Sequence, residues 1–345
     1  MEKKTTYADA GVDIAAAERA LARAKSAITA THTDAVLTGP ADFGGMIALN
    51  ADIADPVLVS GADGVGTKLK IAFALDRHDT VGQDCVAMNV DDIVCMGARP
   101  LFFLDYLGIG RLRPGVVESI IEGVAAACSA AGCVLLGGET AELPGMYAEG
   151  EYDLAGFAVG VVAREQIIDG SQVTQGDVIL GLASSGLHSN GYSLARKALL
   201  EMGGYSLDAH VDELGCALGE ELLRPTRLYC ADLCRLFGTL PLPHGIAHVT
   251  GGGWLDNISR PLPEGLCLRL SAAAAPAPPV FDLIRSAGNV ETAEMYRTFN
   301  MGLGMALVLT PEAVDDWARE LTGAGHQCAV VGEVVAGEGP GTIEF

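Results

Sequence analysis

The sequence predicts a mixed α/β (α+β) protein of two domains. Three observations carry that expectation. Short apolar runs alternate with helical patterns in both halves, several of those runs empty into glycine-rich stretches, and a polar, turn-rich segment, Asp169-Gly-Ser-Gln-Val-Thr-Gln-Gly-Asp177, separates the halves. At 345 residues the chain also exceeds the roughly 250 to 300 at which single cores stop growing. The expected domains are residues 1–168 and 169–345.

In the first half, Asp13 can cap a helix running to about Ala30, with Ile14, Ala17, Leu21, Ala24 and Ile28 as its apolar stripe and Lys25 beside it. Residues 38–45 break regular structure. Pro56–Val59 reads as a strand, followed by Ser60-Gly-Ala-Asp-Gly-Val-Gly-Thr-Lys68 as a glycine loop and a short helix to about Leu75. A longer helix starts near Thr80. Its stripe is Val86, Val90, Ile93, Val94 and Gly97, which leaves Asp84, Asp91 and Asp92 outside. Leu101–Leu107 is a buried strand interrupted by Asp105, Pro114 opens a helix closed by Gly132, and Cys133–Leu136 is a strand that empties into Gly137–Gly145. Leu154–Val162 is the fourth strand.

The second half repeats this logic. Val178–Ala183 is a strand, Ser184–Gly191 a polar glycine loop and Tyr192–Glu201 a helix. The helical region Cys216–Phe237 is split by Pro225. Ile246–Gly253 is another strand running into glycines, entering a helix at Trp254. Helices over Val280–Ala287 and Pro311–Thr322 and strands over Met301–Leu309 and Cys328–Val335 complete the expectation.

Composition narrows the function classes. With 44 acidic and 22 basic residues the formal charge is −22, and no run of Lys or Arg follows Lys3-Lys4, so nucleic acid is not an expected partner. An anionic substrate must be held by backbone N–H groups, a few cations and a metal ion. The nine cysteines contain no CxxC pair and no zinc-ligand spacing, which favours reduced, mostly buried thiols in a cytoplasmic protein. No apolar window reaches the roughly 18 residues of a membrane span, and no secretory signal is expected.

The candidate chemistry lies at the glycine stretches. Gly61, Gly64 and Gly66 let backbone N–H groups approach a phosphate, Thr67 and Lys68 add a hydroxyl and a charge, and Asp63 can hold a divalent cation. The composition suits ATP with magnesium, although neither Walker nor dinucleotide spacing is present. Asp91 and Asp92 point about 100° apart on their helix and cannot chelate one ion as a pair. Either can supply one ligand to a site completed by Asp63, or both can be solvated. His188 and His248 sit within glycine loops, where a histidine can bind phosphate, move a proton or bond the backbone. Ser189 has no visible His–Asp partnering and reads as a phosphate ligand.

These stretches, together with Asp91-Asp-Ile-Val-Cys-Met-Gly-Ala-Arg-Pro-Leu-Phe-Phe-Leu-Asp-Tyr106, Gly137-Gly-Glu-Thr-Ala-Glu-Leu-Pro-Gly-Met-Tyr147 and Glu294-Met-Tyr-Arg-Thr-Phe-Asn300, resemble the phosphoribosylformylglycinamidine cyclo-ligase (aminoimidazole ribonucleotide synthetase) family. The resemblance is collinear from Tyr7 onward. It implies a homodimer whose N-terminal domains pair through their sheets into a shared barrel and bind ATP and metal, with a C-terminal domain completing the site. The implied reaction is ATP-dependent closure of a ribonucleotide's imidazole ring in purine biosynthesis. By that resemblance Asp63 and Asp92 become metal ligands, Lys68 a phosphate contact, and His248 a proton acceptor or phosphate ligand. Lys25, Thr67, His188, Ser189, Asn190, Gly251, Gly252 and Gly253 join the ATP and phosphate contacts, and Glu139, Thr140 and Glu142 the substrate contacts.

Two positions depart from the pattern: Asp91 stands where asparagine is expected, and Arg99 where glutamate is expected. The first adds negative charge next to a metal-ligand candidate. The rival readings are another ATP-using member of the same superfamily, such as a formylglycinamidine ribonucleotide synthetase or a small-molecule kinase, and a silent nucleotide-binding regulator.

Overall fold

The structure is a computed structural model describing residues 10–39, 44–49, 53–275 and 277–345. Part of the irregular stretch at 38–45, and Tyr7 with its neighbours, fall outside the described residues.

Strands β1 (Pro56–Gly64), β2 (Arg99–Ile109), β3 (Val134–Glu142) and β4 (Tyr152–Ala163) form one sheet in the order β1-β4-β2-β3. Only the β2–β3 pair is parallel, as its helical crossover requires. Helices α1 (Ile14–Ala30), α2 (Leu69–Leu75), α3 (Val81–Val94) and α4 (Pro114–Ala130) belong to this half, with α3 and α4 against the sheet and α1 packed on α4. The opposite face leaves Leu58, Tyr106 and Phe157 exposed on three adjacent strands.

The second sheet contains β5 (Val178–Ala183), and after it a two-stranded ribbon of β6 (His210–Val211) and β7 (Cys216–Ala217) stands apart. With β8 (Gly245–His248), β9 (Leu266–Ser271), β10 (Leu303–Leu309), β11 (Cys328–Ala336) and β12 (Gly341–Glu344), the order is β12-β9-β11-β5-β10-β8. β5 and β10 are central and buried nearly throughout, as their continuous apolar runs require. The helices are α5 (Tyr192–Arg196), continuing as a π-turn to Met202, α6 (Leu218–Leu222), α7 (Cys230–Phe237), α8 (Gly253–Ile258), α9 (Pro279–Gly288), α10 (Thr292–Thr298) and α11 (Val314–Gly323). The break between α6 and α7 contains Pro225, as expected.

Four local readings change. Gly61 and Gly64 are not in a loop: β1 continues through them, opposite Ala158 and Ala155. β3 likewise continues through Gly137 to Glu142, paired with Leu104–Ile109. Glycine is a poor strand former in isolation, and here cross-strand pairing overrides that preference. The buried line of α1 is Ala16, Ala20 and Ala24, with Leu21 exposed, because alanines let α1 lie close on α4. Asp84 and Asp91 are fully buried, since α3 is covered on nearly all sides. The nine cysteines are free thiols, four of them buried and the others partly so.

Across the first sheet, Asp63, Gly156, Asp105 and Gly138 form one transverse row. A Cβ on Gly156 would fall 2.1 Å from the Phe103 ring and 2.8 Å from the Asn89 amide. We expect Gly156→Ala to lower the unfolding free energy by about 1–3 kcal/mol, the usual range for overpacking. Urea unfolding followed by circular dichroism measures this, and an unchanged midpoint would show that the ring can move aside.

Candidate active site

The candidate residues converge where α3 meets the second sheet. Gly61 brings β1 against α3, so that a Cβ there would lie 4.0 Å from that of Asp92. Asp63 Oδ1 accepts the Gly64 N–H at 2.7 Å. Burial raises the Asp63 carboxyl above its ordinary value, the Gly64 bond opposes that, and the charge of Asp92 adds to it. Asp92 is half exposed and accepts the Nδ1–H of His248 at 2.9 Å. This bond joins α3 to the end of β8.

His248 itself is buried. Burial disfavours its charged form, yet the hydrogen bond to Asp92 and the charges of Asp91, Asp92 and Asp63 prevail and raise its pKa. Its Nε2 is buried without a hydrogen-bond partner among the described residues. A histidine oriented through Nδ1 by a carboxylate, with Nε2 free, is equipped to accept a proton or bind an oxyanion.

The loop after β5 supplies a second histidine of opposite character. His188 has φ +61° and its Nε2 accepts the Ser185 N–H at 3.1 Å, which puts the ring proton on Nδ1. Burial pushes its pKa well below the ordinary value, with the nearby charges of His248, Lys68 and Arg227 adding to the shift. Ser189 and Thr226 share a hydroxyl bond at 3.1 Å, and Asn190 Oδ1 lies 3.3 Å from where a Cβ on Gly251 would sit. Gly251 and Gly252 lead into Gly253 at φ +67°, whose Cβ position is only 1.8 Å from the Tyr296 carbonyl oxygen, so no side chain fits. Two glycine loops of the second half thus face α3 side by side.

Comparison with known proteins fixes the family. The AIR synthase related protein N-terminal domain profile matches residues 41–162, and the corresponding C-terminal domain profile matches 174–343. The chain is 50% identical to the phosphoribosylformylglycinamidine cyclo-ligase of Pseudothermotoga lettingae over 96% of this chain and 98% of that one. It is 51% identical to the enzyme of Acetivibrio thermocellus over 96% and 97%. The chain belongs to the phosphoribosylformylglycinamidine cyclo-ligase family. Solved structures share its fold at lower identity. The thiamine-monophosphate kinase of Stenotrophomonas maltophilia K279a aligns with a TM-score of 0.68 at 19% identity, covering 96% of both chains. A hydrogenase maturation protein HypE, solved in complex with ATP, aligns with a TM-score of 0.65 at 16% identity, covering 94% of this chain and 88% of that one.

In this cyclo-ligase family member the structure brings together Asp63, Asp92, His188, Ser189, Asn190, His248 and Gly251–Gly253, while Thr67 Oγ1 meets Ser193 Oγ across the halves at 3.1 Å. Other candidates lie elsewhere. Lys68 is fully buried, and its Nζ donates to Asp84 Oδ1 at 2.7 Å, His188 O at 3.1 Å and Arg224 O at 2.7 Å. All three ammonium protons are used internally, so the reading of Lys68 as a phosphate contact is corrected. Glu142 gives Oε1 to the Leu112 N–H and Oε2 to the Asp13 N–H, both at 2.7 Å. It ties the start of α1 to the sheet and is not a free substrate ligand in this structure. Glu139 and Thr140 sit on β3, the edge opposite β1, and Lys25 is exposed on α1, which packs toward that same edge.

Sequence reasoning missed three buried polar residues around the site. Asp84 receives Lys68 together with the N–H and Oγ1 of Thr226. Asn300 accepts from Ser184 Oγ and the Gly302 N–H, donates to Gly186 O, and receives the Trp254 indole on its carbonyl, thereby fixing the His188 loop. Its signal was its place at the end of Glu294–Asn300. Asp105, pushed to about 7 by burial, lies in the same sheet row as Asp63. Its signal was a carboxylate interrupting an apolar strand.

The two histidines make a testable pair. The raised pKa of His248 gives stability that is complete below about 6.5 and lost as pH rises through its folded value, whereas neutral burial of His188 destabilises the fold as pH falls below about 6.5. In ¹⁵N NMR titrations of the ligand-free protein, His248 should titrate above the ordinary value and His188 should remain neutral at pH 6. Asp92→Asn should lower the His248 midpoint, and no change would show that the bond to Asp92 does not set it.

Proposed function

We infer that this chain closes the imidazole ring of formylglycinamidine ribonucleotide, using ATP and yielding aminoimidazole ribonucleotide, ADP and phosphate. The observation that carries this reading is identity of about half the residues to curated cyclo-ligases over nearly the full length of both chains. The convergence of carboxylates, histidines and glycine loops between the two halves supports it.

The chemistry requires a poor leaving group to become a good one. Transfer of the γ-phosphoryl group to the formyl oxygen does so, after which an amidine nitrogen attacks the same carbon and phosphate departs. His248 is placed for this work, since Asp92 holds its Nδ1–H and its free Nε2 can take the proton released by the attacking nitrogen. The loop containing His188, Ser189 and Asn190 and the turn at Gly251–Gly253 form the anion cradle, with backbone N–H groups in place of clustered cations.

Asp63 and Asp92 would hold Mg²⁺. The donor set fits a hard cation: both are carboxylates, and the structure gives the second oxygen of each no hydrogen bond among the described residues. Among those residues no three His, Cys, Asp or Glu side chains form a ligand set, so phosphate oxygens and water would complete the shell. Bound there, the cation would neutralise triphosphate charge.

We also propose a homodimer joined through the open face of the first sheet. Leu58, Tyr106 and Phe157 give that face an apolar surface that a second copy would cover, closing two four-stranded sheets into a shared barrel. The domain boundary is placed at residues 168/169, in the connection between β4 and β5. The setting of the reaction is the cytoplasm, and no helix among the described residues is long and apolar enough to cross a membrane.

Purified protein with Mg²⁺ and ATP should convert formylglycinamidine ribonucleotide to aminoimidazole ribonucleotide with one ADP per ring. Absence of ATP-dependent product would overturn the assignment. Asp63→Asn should reduce kcat/KM by about 100-fold, the scale of one preorganised electrostatic contact. Leu58→Glu combined with Phe157→Glu should shift the protein from dimer to monomer in light scattering, and an unchanged mass would remove this face from the interface.

A further inference from the structure

Lys68 is the most buried charged group of the sequence-predicted site, and its surroundings give it a different task. Its ammonium joins Asp84 on α3 to two carbonyls of the second half, His188 O in the loop after β5 and Arg224 O before α7. Asp84 Oδ1 returns to the same segment by accepting the Thr226 N–H at 2.8 Å and the Thr226 hydroxyl at 2.7 Å. The neighbouring carbonyls are taken as well: Pro225 O by Ser185 Oγ at 2.7 Å and Thr226 O by Gln83 Nε2 at 2.7 Å. Thr226 Oγ1 reaches on to Ser189 Oγ at 3.1 Å. The turn at residues 224–226 and the His188 loop are therefore held by one polar node whose centre belongs to the other domain.

Lys68, at the centre of this node, stands five residues after Asp63, on the single helical turn Gly66–Lys68. We propose that Lys68 and Asp84 are positioning residues that hold the Ser184–Gly191 loop in its ligand-receiving shape, in register with the Asp63 strand. The proposal rests on the reading of that loop as an anion cradle. Neither side chain need touch a ligand. The buried pair fixes the loop backbone before binding, so that little ordering remains when an anion arrives. Without the node, only a fraction of molecules presents a formed cradle, and apparent affinity falls by that fraction.

The test uses the full chain with Lys68→Met and Asp84→Asn combined, which leaves no unpaired buried charge and keeps an acceptor for the Thr226 N–H. KM for ATP and for formylglycinamidine ribonucleotide, kcat, the thermal midpoint and hydrogen exchange are measured against wild type. At least one KM should rise about 10-fold with kcat within about threefold, as a cradle formed in one molecule in ten implies. Exchange should accelerate at 184–191 and 224–229 while the first sheet is unchanged. Native KM values in the folded double variant, with or without a lower thermal midpoint, would overturn the proposal, as would a fall in kcat alone. If the double variant does not fold, Thr226→Val decides: it keeps the ion pair, loses the hydroxyl link, and should raise KM about threefold, whereas a native KM would overturn the idea. Failure of wild type to turn over would sink the ring-closure reading, and the exchange result would still report on the node.

Discussion

The burial of a polar helix between two sheets is the constraint on which the rest of this structure depends. α3 contains Asp84, Asn89 and Asp91 at positions removed from solvent. A buried polar group without a partner costs far more than an apolar contact gains. Each of the three therefore dictates where other parts of the chain must be. Asp84 requires Lys68 and Thr226, Asn89 donates to Asp63 O and Cys85 O, and Asp91 accepts the N–H groups of Tyr229 and Cys230. Breaking a buried ion pair by removing one partner costs about 3–5 kcal/mol, against a native stability of about 5–15 kcal/mol. Apolar surfaces can slide against one another at little cost. These directional bonds cannot, and they set the register between the halves.

That register produces the site. Asp63 and Asp92 come from the first half, and His188, His248 and the glycine turns come from the second. The Asp92–His248 bond, the Thr67–Ser193 contact and the Lys68 node all cross between them. Asn300 does the equivalent work within the second half, using every polar atom of its side chain on the loop that contains His188. The proposed cradle is thus held by buried side chains whose hydrogen bonds are made within the protein.

The long periodic elements were legible in the sequence because hydrophobic spacing is a local signal. α4, β5, β10 and the break at Pro225 were read from it directly. The glycine-rich parts of β1 and β3 were not, because local preference assigns glycine to turns and only pairing with β4 and β2 makes those residues strand. The same limit applies to the site. Asp63, Asp92 and His248 could be picked from residue type and family pattern. Lys68 was misassigned since a lysine after three glycines looks like a phosphate ligand, while the residues that claim it, Asp84, His188 and Arg224, stand 16, 120 and 156 positions away. Periodicity also placed Asp84 outside the buried stripe of α3. α3 is covered on nearly every side, with Asp92 as its half-exposed position, and nothing local marks that.

Asp91, where asparagine was expected, shows how an added buried charge is absorbed. The charge expected to disturb the metal end is directed instead at the start of α7, where one oxygen accepts two backbone N–H groups at 3.1 and 2.9 Å. An asparagine would provide the same acceptor. The carboxylate leaves its second oxygen buried without a partner among the described residues, and burial pushes its pKa to about 7, opposed by the charge of His248 and by those two hydrogen bonds. A carboxyl with a raised folded pKa binds more protons folded than unfolded, so this group costs stability progressively as pH rises from about 4 to about 7. The compensation lies at His248, since the Asp91 charge is among those that raise its pKa. Stability is lost at a buried carboxylate, and the neighbouring imidazole becomes a stronger base.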